Sequence, residues 1–159
     1  TAMLDAIGEV INKVQNRHDG LGAEKPESVL FVITTDGEEN SSYKFTKSQI
    51  EKMIKHQTNG HGWKFMFLGA NMDAVKEAEN IGIKSNYAAT YDYTSKGIGG
   101  VYATMDCVAS SVRGCCDAVN LNSNDFVLSK AYTDTLSSVA AIATATKVES
   151  DISISTTLS

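Results

Sequence analysis

Val29-Leu30-Phe31-Val32-Ile33-Thr34, followed at once by Thr35-Asp36-Gly37-Glu38-Glu39-Asn40, is the stretch on which the fold turns. A continuous apolar, β-branched run without polar alternation marks a strand covered on both faces, the habit of parallel sheets. The polar residues behind it supply a turn: Gly37 lets the backbone bend sharply, and Asn40 can brace it through its side chain. Ligands of open parallel sheets gather at the carboxyl ends of the strands, so this acidic loop stands where a site is expected.

Upstream, Leu4, Ile7, Ile11 and Val14 recur at three- and four-residue steps, which predicts an amphipathic helix over residues 2–17. Thr1 is placed to cap this helix, and Asp5 lies near its first turn, where the helix dipole favours a carboxylate. The polar loop His18-Asp19-Gly20-Leu21-Gly22 and the single proline, Pro26, then separate helix from strand.

Downstream, Thr46 is a candidate cap for a helix carrying Ile50, Met53 and Ile54 and ending near Asn59-Gly60. Lys64-Phe65-Met66-Phe67-Leu68 reads as a second short buried strand, closed by Gly69-Ala70-Asn71. A helix over residues 72–80, a weaker strand at Tyr87-Ala88-Ala89-Thr90-Tyr91 and a helix over residues 94–113 complete the pattern. Alternating helices and strands predict an α/β domain over residues 1–113, a Rossmann-like parallel sheet with helical crossovers. Residues 114–159 are a Ser/Thr/Ala-rich tail or accessory segment without a clear helical stripe, open to reading as a linker, an added β-element or a disordered terminus.

The net charge of -5 leaves no basic excess to neutralise phosphates, which argues against nucleic acid as the main partner and suits a divalent cation or a basic protein surface. No run reaches the roughly 18 apolar residues of a membrane span, and no basic-then-apolar leader opens the chain. Cys107, Cys115 and Cys116 are odd in number and lack zinc spacing, so they read as buried, reduced thiols of a reducing, cytoplasmic setting. The sequence begins at Thr1 without an initiator Met, which fits either a removed leader or a piece of something longer.

Val32-Ile33-Thr34-Thr35-Asp36-Gly37-Glu38-Glu39-Asn40, one helix after Thr1-Ala2-Met3-Leu4-Asp5-Ala6-Ile7, resembles the von Willebrand factor type A domain family. Phe67-Leu68-Gly69-Ala70-Asn71 is similar to the next strand in intracellular bacterial and phage members, and the resemblance covers residues 1–113. It implies a metal-ion-dependent adhesion site. In the family that site combines an Asp-x-Ser-x-Ser loop after the first strand, a Thr just before a later helix, and the Asp of a Thr-Asp-Gly turn. Thr1 matches the second element and Asp36 the third, so the implied ligands of Mg²⁺ or Mn²⁺ are Thr1 and Asp36. The strand and loop carrying the first element should precede Thr1. The resemblance therefore implies the carboxyl part of a larger domain lacking its first strands, or a partner that supplies the missing half. Asp151-Ile152-Ser153-Ile154-Ser155 also reads Asp-x-Ser-x-Ser, yet the stretch before it is polar and charged, unlike a buried central strand.

Each candidate has a plainer reading. Asp36 also fits a turn-stabilising carboxylate and Thr1 a simple helix cap, and an Asp and a Thr alone are a poor shell for Mg²⁺, which demands near-octahedral oxygen. Weak or absent metal binding by this chain alone is the expectation. His18, His56 and His61 read as solvated, as do the pairs Glu38/Glu39 and Glu77/Glu79, since no nucleophile converges on them. The cluster Gly97, Gly99 and Gly100 lacks the context of a nucleotide loop, and Tyr87, Tyr91, Tyr93 and Tyr102 read as packing beneath a helix.

The resulting expectation is a non-enzymatic module binding a protein partner, with Glu38 and Glu39 shaping the field around Asp36. The alternative is a structural or assembly component, such as a phage virion protein, that keeps the scaffold without the metal. A hydrolase using Asp36 has only the site's position in its favour.

Overall fold

In the computed structural model, residues 2–115 and 119–137 are described. The elements run α1 (Met3–Leu21), β1 (Leu30–Thr35), α2 (Lys47–His61), β2 (Lys64–Ala70), α3 (Ala74–Asn80), β3 (Ala88–Tyr91) and α4 (Ser95–Val112), with a further helix over residues 128–137. The fold is α/β, with a small open sheet of three parallel strands in the order β1-β2-β3. Leu30 pairs with Lys64 and Thr35 with Gly69, while Phe67 pairs with Ala88 and Ala70 with Tyr91.

The buried reading holds for β2, whose side chains of opposite parity enter two different apolar layers; in β1 Ile33 and Thr35 are buried, Leu30, Phe31 and Val32 are half-buried and Thr34 is exposed. Ile33, Phe65 and Phe67 join Leu4, Ile7 and Ile11 of α1, Ile50 and Ile54 of α2 and Ala74 and Ala78 of α3 on one face. Met66 and Leu68 join Val101 and Val108 of α4 on the other, with Leu121, Phe126, Leu128 and Tyr132. Residues 119–137, read from sequence as part of a tail, thus fill the second layer. Tyr87 donates its hydroxyl to the Leu121 carbonyl at 2.8 Å, and Asn86 donates to that of Phe126 at 3.2 Å. Leu128, Tyr132 and Leu136 recur at four-residue steps, a stripe short enough to be hidden among Ser and Thr.

Element ends differ from expectation in instructive ways. Gly20 does not stop α1; it runs on to Leu21, and Gly22 closes it at φ 55°, a conformation that glycine adopts without strain. The helix starts at Met3 with Ala2 in the cap position and no side-chain cap of its own. Thr46 does cap α2, in a reciprocal box with Gln49.

Candidate functional site

The Thr35-Asp36-Gly37 turn closes the carboxyl end of β1, as the sequence requires. Its brace is Thr35, which is buried: the hydroxyl donates to the Gly37 carbonyl at 2.8 Å and accepts the Gly37 N–H at 3.3 Å. Asp36 is thereby left pointing out, exposed to solvent. The turn-stabilising role falls to its neighbour.

The rest of the acidic loop is pinned to the first turn of α1 by a reciprocal set of hydrogen bonds. Glu39 accepts the Leu4 N–H at 2.8 Å through one oxygen and the N–H groups of Ser41 and Ser42, at 3.0 and 2.8 Å, through the other. The Ser42 hydroxyl donates to Glu39 at 2.8 Å and accepts the Asp5 N–H at 3.1 Å. Asp5, buried at 6% exposure, returns the contact by accepting the N–H groups of Tyr43, Lys44 and Phe45 at 2.9 to 3.0 Å. A helix start leaves orphan main-chain donors, and here a carboxylate from 35 residues away satisfies one while complementing the dipole.

Burial pushes against the charge on Glu39, but the N–H groups of Leu4, Ser42 and Ser41 and the Ser42 hydroxyl outweigh it and hold the carboxyl down at about 2. Asp5 is lowered in the same way: burial opposes, and the main chain of Tyr43, Phe45 and Lys44, with the Lys44 ammonium, prevails. Glu39 is therefore a structural clasp, where the sequence had suggested a solvated contributor to the field around Asp36.

Around Asp36 the carboxyl end of the sheet displays aromatic side chains that sequence reasoning misplaced or missed. Tyr43, Tyr93 and Tyr102 are 84%, 57% and 72% exposed, against the expectation that Tyr93 and Tyr102 pack beneath a helix. Tyr91 and Tyr87 do pack inward. Tyr91 sits in the row of β3 that aligns with Ala70, one position beyond the row of Thr35. Its hydroxyl is pushed up by burial and then by the carboxylate of Asp36, with Tyr93 and Tyr102 adding to it. Asp92, also exposed, follows Tyr91 on the same end.

Asn71 closes β2 there at φ 51°, a left-handed conformation that Asn tolerates, and its N–H donates to the Tyr91 carbonyl at 3.1 Å. The signal for the exposed tyrosines lay in their setting: Tyr43 falls between Ser42 and Lys44, and Tyr93 between Asp92 and Thr94, all outside apolar runs.

The glycine cluster has a steric explanation. A Cβ on Gly97 would lie 2.0 Å from the Asp92 carbonyl oxygen, and one on Gly100 would lie 2.6 Å from Leu136. These glycines let the β3–α4 turn and residues 128–137 approach α4 closely. Cys107 is half-buried and Cys115 exposed, so the expectation of burial fails for Cys115. His18 lies edge-on to Trp63 and His56 edge-on to His61.

Thr1, Cys116 and Asp151-Ser155 lie outside the described residues. Asp36 is thus the one implied metal ligand whose place is described. A test of fit for Mg²⁺ or Mn²⁺ goes against a full shell from the described residues. Thr35 turns its hydroxyl into its own loop, while Glu39 and Asp5 spend their oxygens on main-chain donors. Among the described residues no group of three or more His, Cys, Asp and Glu is placed to hold a metal ion. Among them, too, no helix is long and apolar enough to cross a membrane. No protein-family model, curated protein or solved structure matches the chain.

Proposed function

We propose that this chain is a non-enzymatic protein-interaction module of von Willebrand A type, meeting its partner with the face at the carboxyl ends of its strands. The observation that carries the reading is the placement of exposed Asp36 at that end, on a loop held rigid by Glu39 and Asp5 and accompanied by exposed Tyr43, Tyr93 and Tyr102. Tyrosines offer large contact area at low entropic cost and dominate protein interfaces, while exposed carboxylates favour basic groups on the partner. A preorganised loop spares the ordering cost of binding.

Asp36 offers Mg²⁺ or Mn²⁺ a single carboxylate, which binds such an ion weakly. In this chain alone the partner contact therefore rests on the tyrosines and carboxylates of the face. The reading is tested by placing a photocrosslinking residue at position 102 in the protein expressed in its own cells. A discrete partner is captured, and Asp36→Ala or Tyr93→Ala removes it; capture that ignores both changes contradicts the proposal.

A second reading, a structural or assembly component that keeps the scaffold and binds no metal, is favoured by a different observation. Among the described residues β1 pairs on one side only, leaving an apolar strand edge open.

A further inference from the structure

A cavity of about 650 Å³ opens at the amino end of the sheet, opposite Asp36, beside Val29 just before β1 and Trp63 just before β2. The last turns of α1 and α2 form its walls, with Gln15, His18 and Asp19 on one side and Gln57, Gly60 and His61 on the other. Lys25 and Glu27, from the segment joining α1 to β1, also line it. Every lining residue is among those described.

One polar atom of this wall is unsatisfied. Gln57 is 2% exposed, and its Nε2 donates to Gln15 Oε1 at 2.5 Å. Its own Oε1 is buried without a donor, and among the described residues no other buried side-chain nitrogen or oxygen is left so. Buried polar atoms are almost always paired, so an exception asks for an explanation. Gln15 does not supply one, since it presents its acceptor to Gln57. A glutamine's terminal torsion is broad, which lets the amide turn to meet a donor in the cavity.

The surroundings are acceptors as well. The last four carbonyls of a helix lack an intrahelical donor and carry the negative end of its dipole, and two helices end here. Asp19 and Glu27 set two carboxylates against the one ammonium of Lys25. His18 and His61 oppose a cation only when protonated.

We propose that this cavity binds a guanidinium group. A guanidinium carries five N–H donors in a planar fork and no acceptor, the complement of such a wall. It can meet Gln57 Oε1, a helix-end carbonyl and a carboxylate at once. Two sources share this chemistry, a small free guanidine and an arginine side chain of another protein. The site lies at the opposite end of the sheet from Asp36, so it stands or falls separately from the partner-binding face.

Trp63 is the single tryptophan of the chain and lines the cavity, so its fluorescence reports occupancy. The purified chain is titrated at pH 8 with ethylguanidinium, with tetramethylammonium as a cation without N–H donors, and with the blocked peptide acetyl-Gly-Arg-Gly-amide. The Gln57 side-chain amide resonance is followed in parallel. Ethylguanidinium is expected to saturate both signals, and tetramethylammonium to saturate neither. The Kd for ethylguanidinium should rise at least about tenfold in Gln57→Leu and about threefold in Asp19→Asn. A peptide that binds more tightly than ethylguanidinium identifies an arginine side chain as the source, and one that binds equally or less tightly identifies a free guanidine. Absence of saturable change in both signals overturns the proposal, as does an equal response to tetramethylammonium. Binding that ignores a folded Gln57→Leu overturns it too, and if that variant loses its circular dichroism, Asp19→Asn decides in the same way.

Discussion

Glu39 accepts the main-chain N–H of Leu4 at 2.8 Å, so a carboxylate of the acidic loop closes the first turn of a helix 35 residues earlier in the chain. Asp5, the next residue of that turn, answers by holding the loop's main chain at Tyr43, Lys44 and Phe45. Sheet end, loop and helix start are thereby one unit, and Asp36 is displayed from it.

Loss of the clasp should behave as loss of a helix cap. Glu39→Ala is expected to lower stability by about 1 kcal/mol, read from urea unfolding at neutral pH. Asp5→Ala should cost more, because it leaves three part-buried main-chain donors without their acceptor. Equal stability of both variants and wild type would show that water replaces the clasp without loss.

The same contact predicts a pH dependence with a definite sign. Glu39 ionises at about 2 in the folded chain against an ordinary 4.5, so its contribution is complete above pH 4.5 and drains away as pH falls toward 2. Asp5, lowered as well, acts in the same direction. Denaturation midpoints should fall over this window in the wild type, and fall less steeply in Glu39→Gln, which starts lower at neutral pH.

Much of this was legible in the sequence, and the illegible part has physical causes. The run from Val29 to Thr34 and its apolar counterpart at Phe65-Met66-Phe67-Leu68 announced the parallel strands because burial on both faces removes polar alternation. Thr46 announced α2 because its capping box is local. The cap of α1 was not legible: Glu39 and Leu4 are far apart in the chain, and no local signal records their contact. Asp36 could be placed at the strand end, but which side chain braced its turn could not, since Thr35 and Asp36 are both able to. The helix over residues 128–137 was hidden because three apolar side chains among Ser, Thr and Lys make a narrow stripe, visible once Tyr132 and Leu136 meet Gly100.

Asp36 should be dispensable for folding and needed for cation contact. Asp36→Ala is expected to change unfolding stability by less than about 0.5 kcal/mol, as for an exposed residue outside any network. Calorimetry with Mg²⁺ or Mn²⁺ should give weak binding to the chain that this substitution removes. Binding that survives in Asp36→Ala would place the ion elsewhere.

Gly97 holds the face in shape by letting α4 start tightly against β3. Gly97→Ala forces a Cβ toward the Asp92 carbonyl and should cost about 1–3 kcal/mol in thermal or urea unfolding. Gly99→Ala, with open space at its Cβ, serves as the control and should hold or raise stability.

The central claim is that the carboxyl end of the sheet is the working face. In-cell photocrosslinking from position 102 tests it most directly, run beside a crosslinker at Val75, an exposed residue of α3. The account predicts one discrete partner captured from position 102, absent from position 75 and lost in Asp36→Ala. Equal capture from both positions, or capture unchanged by Asp36→Ala, would contradict it.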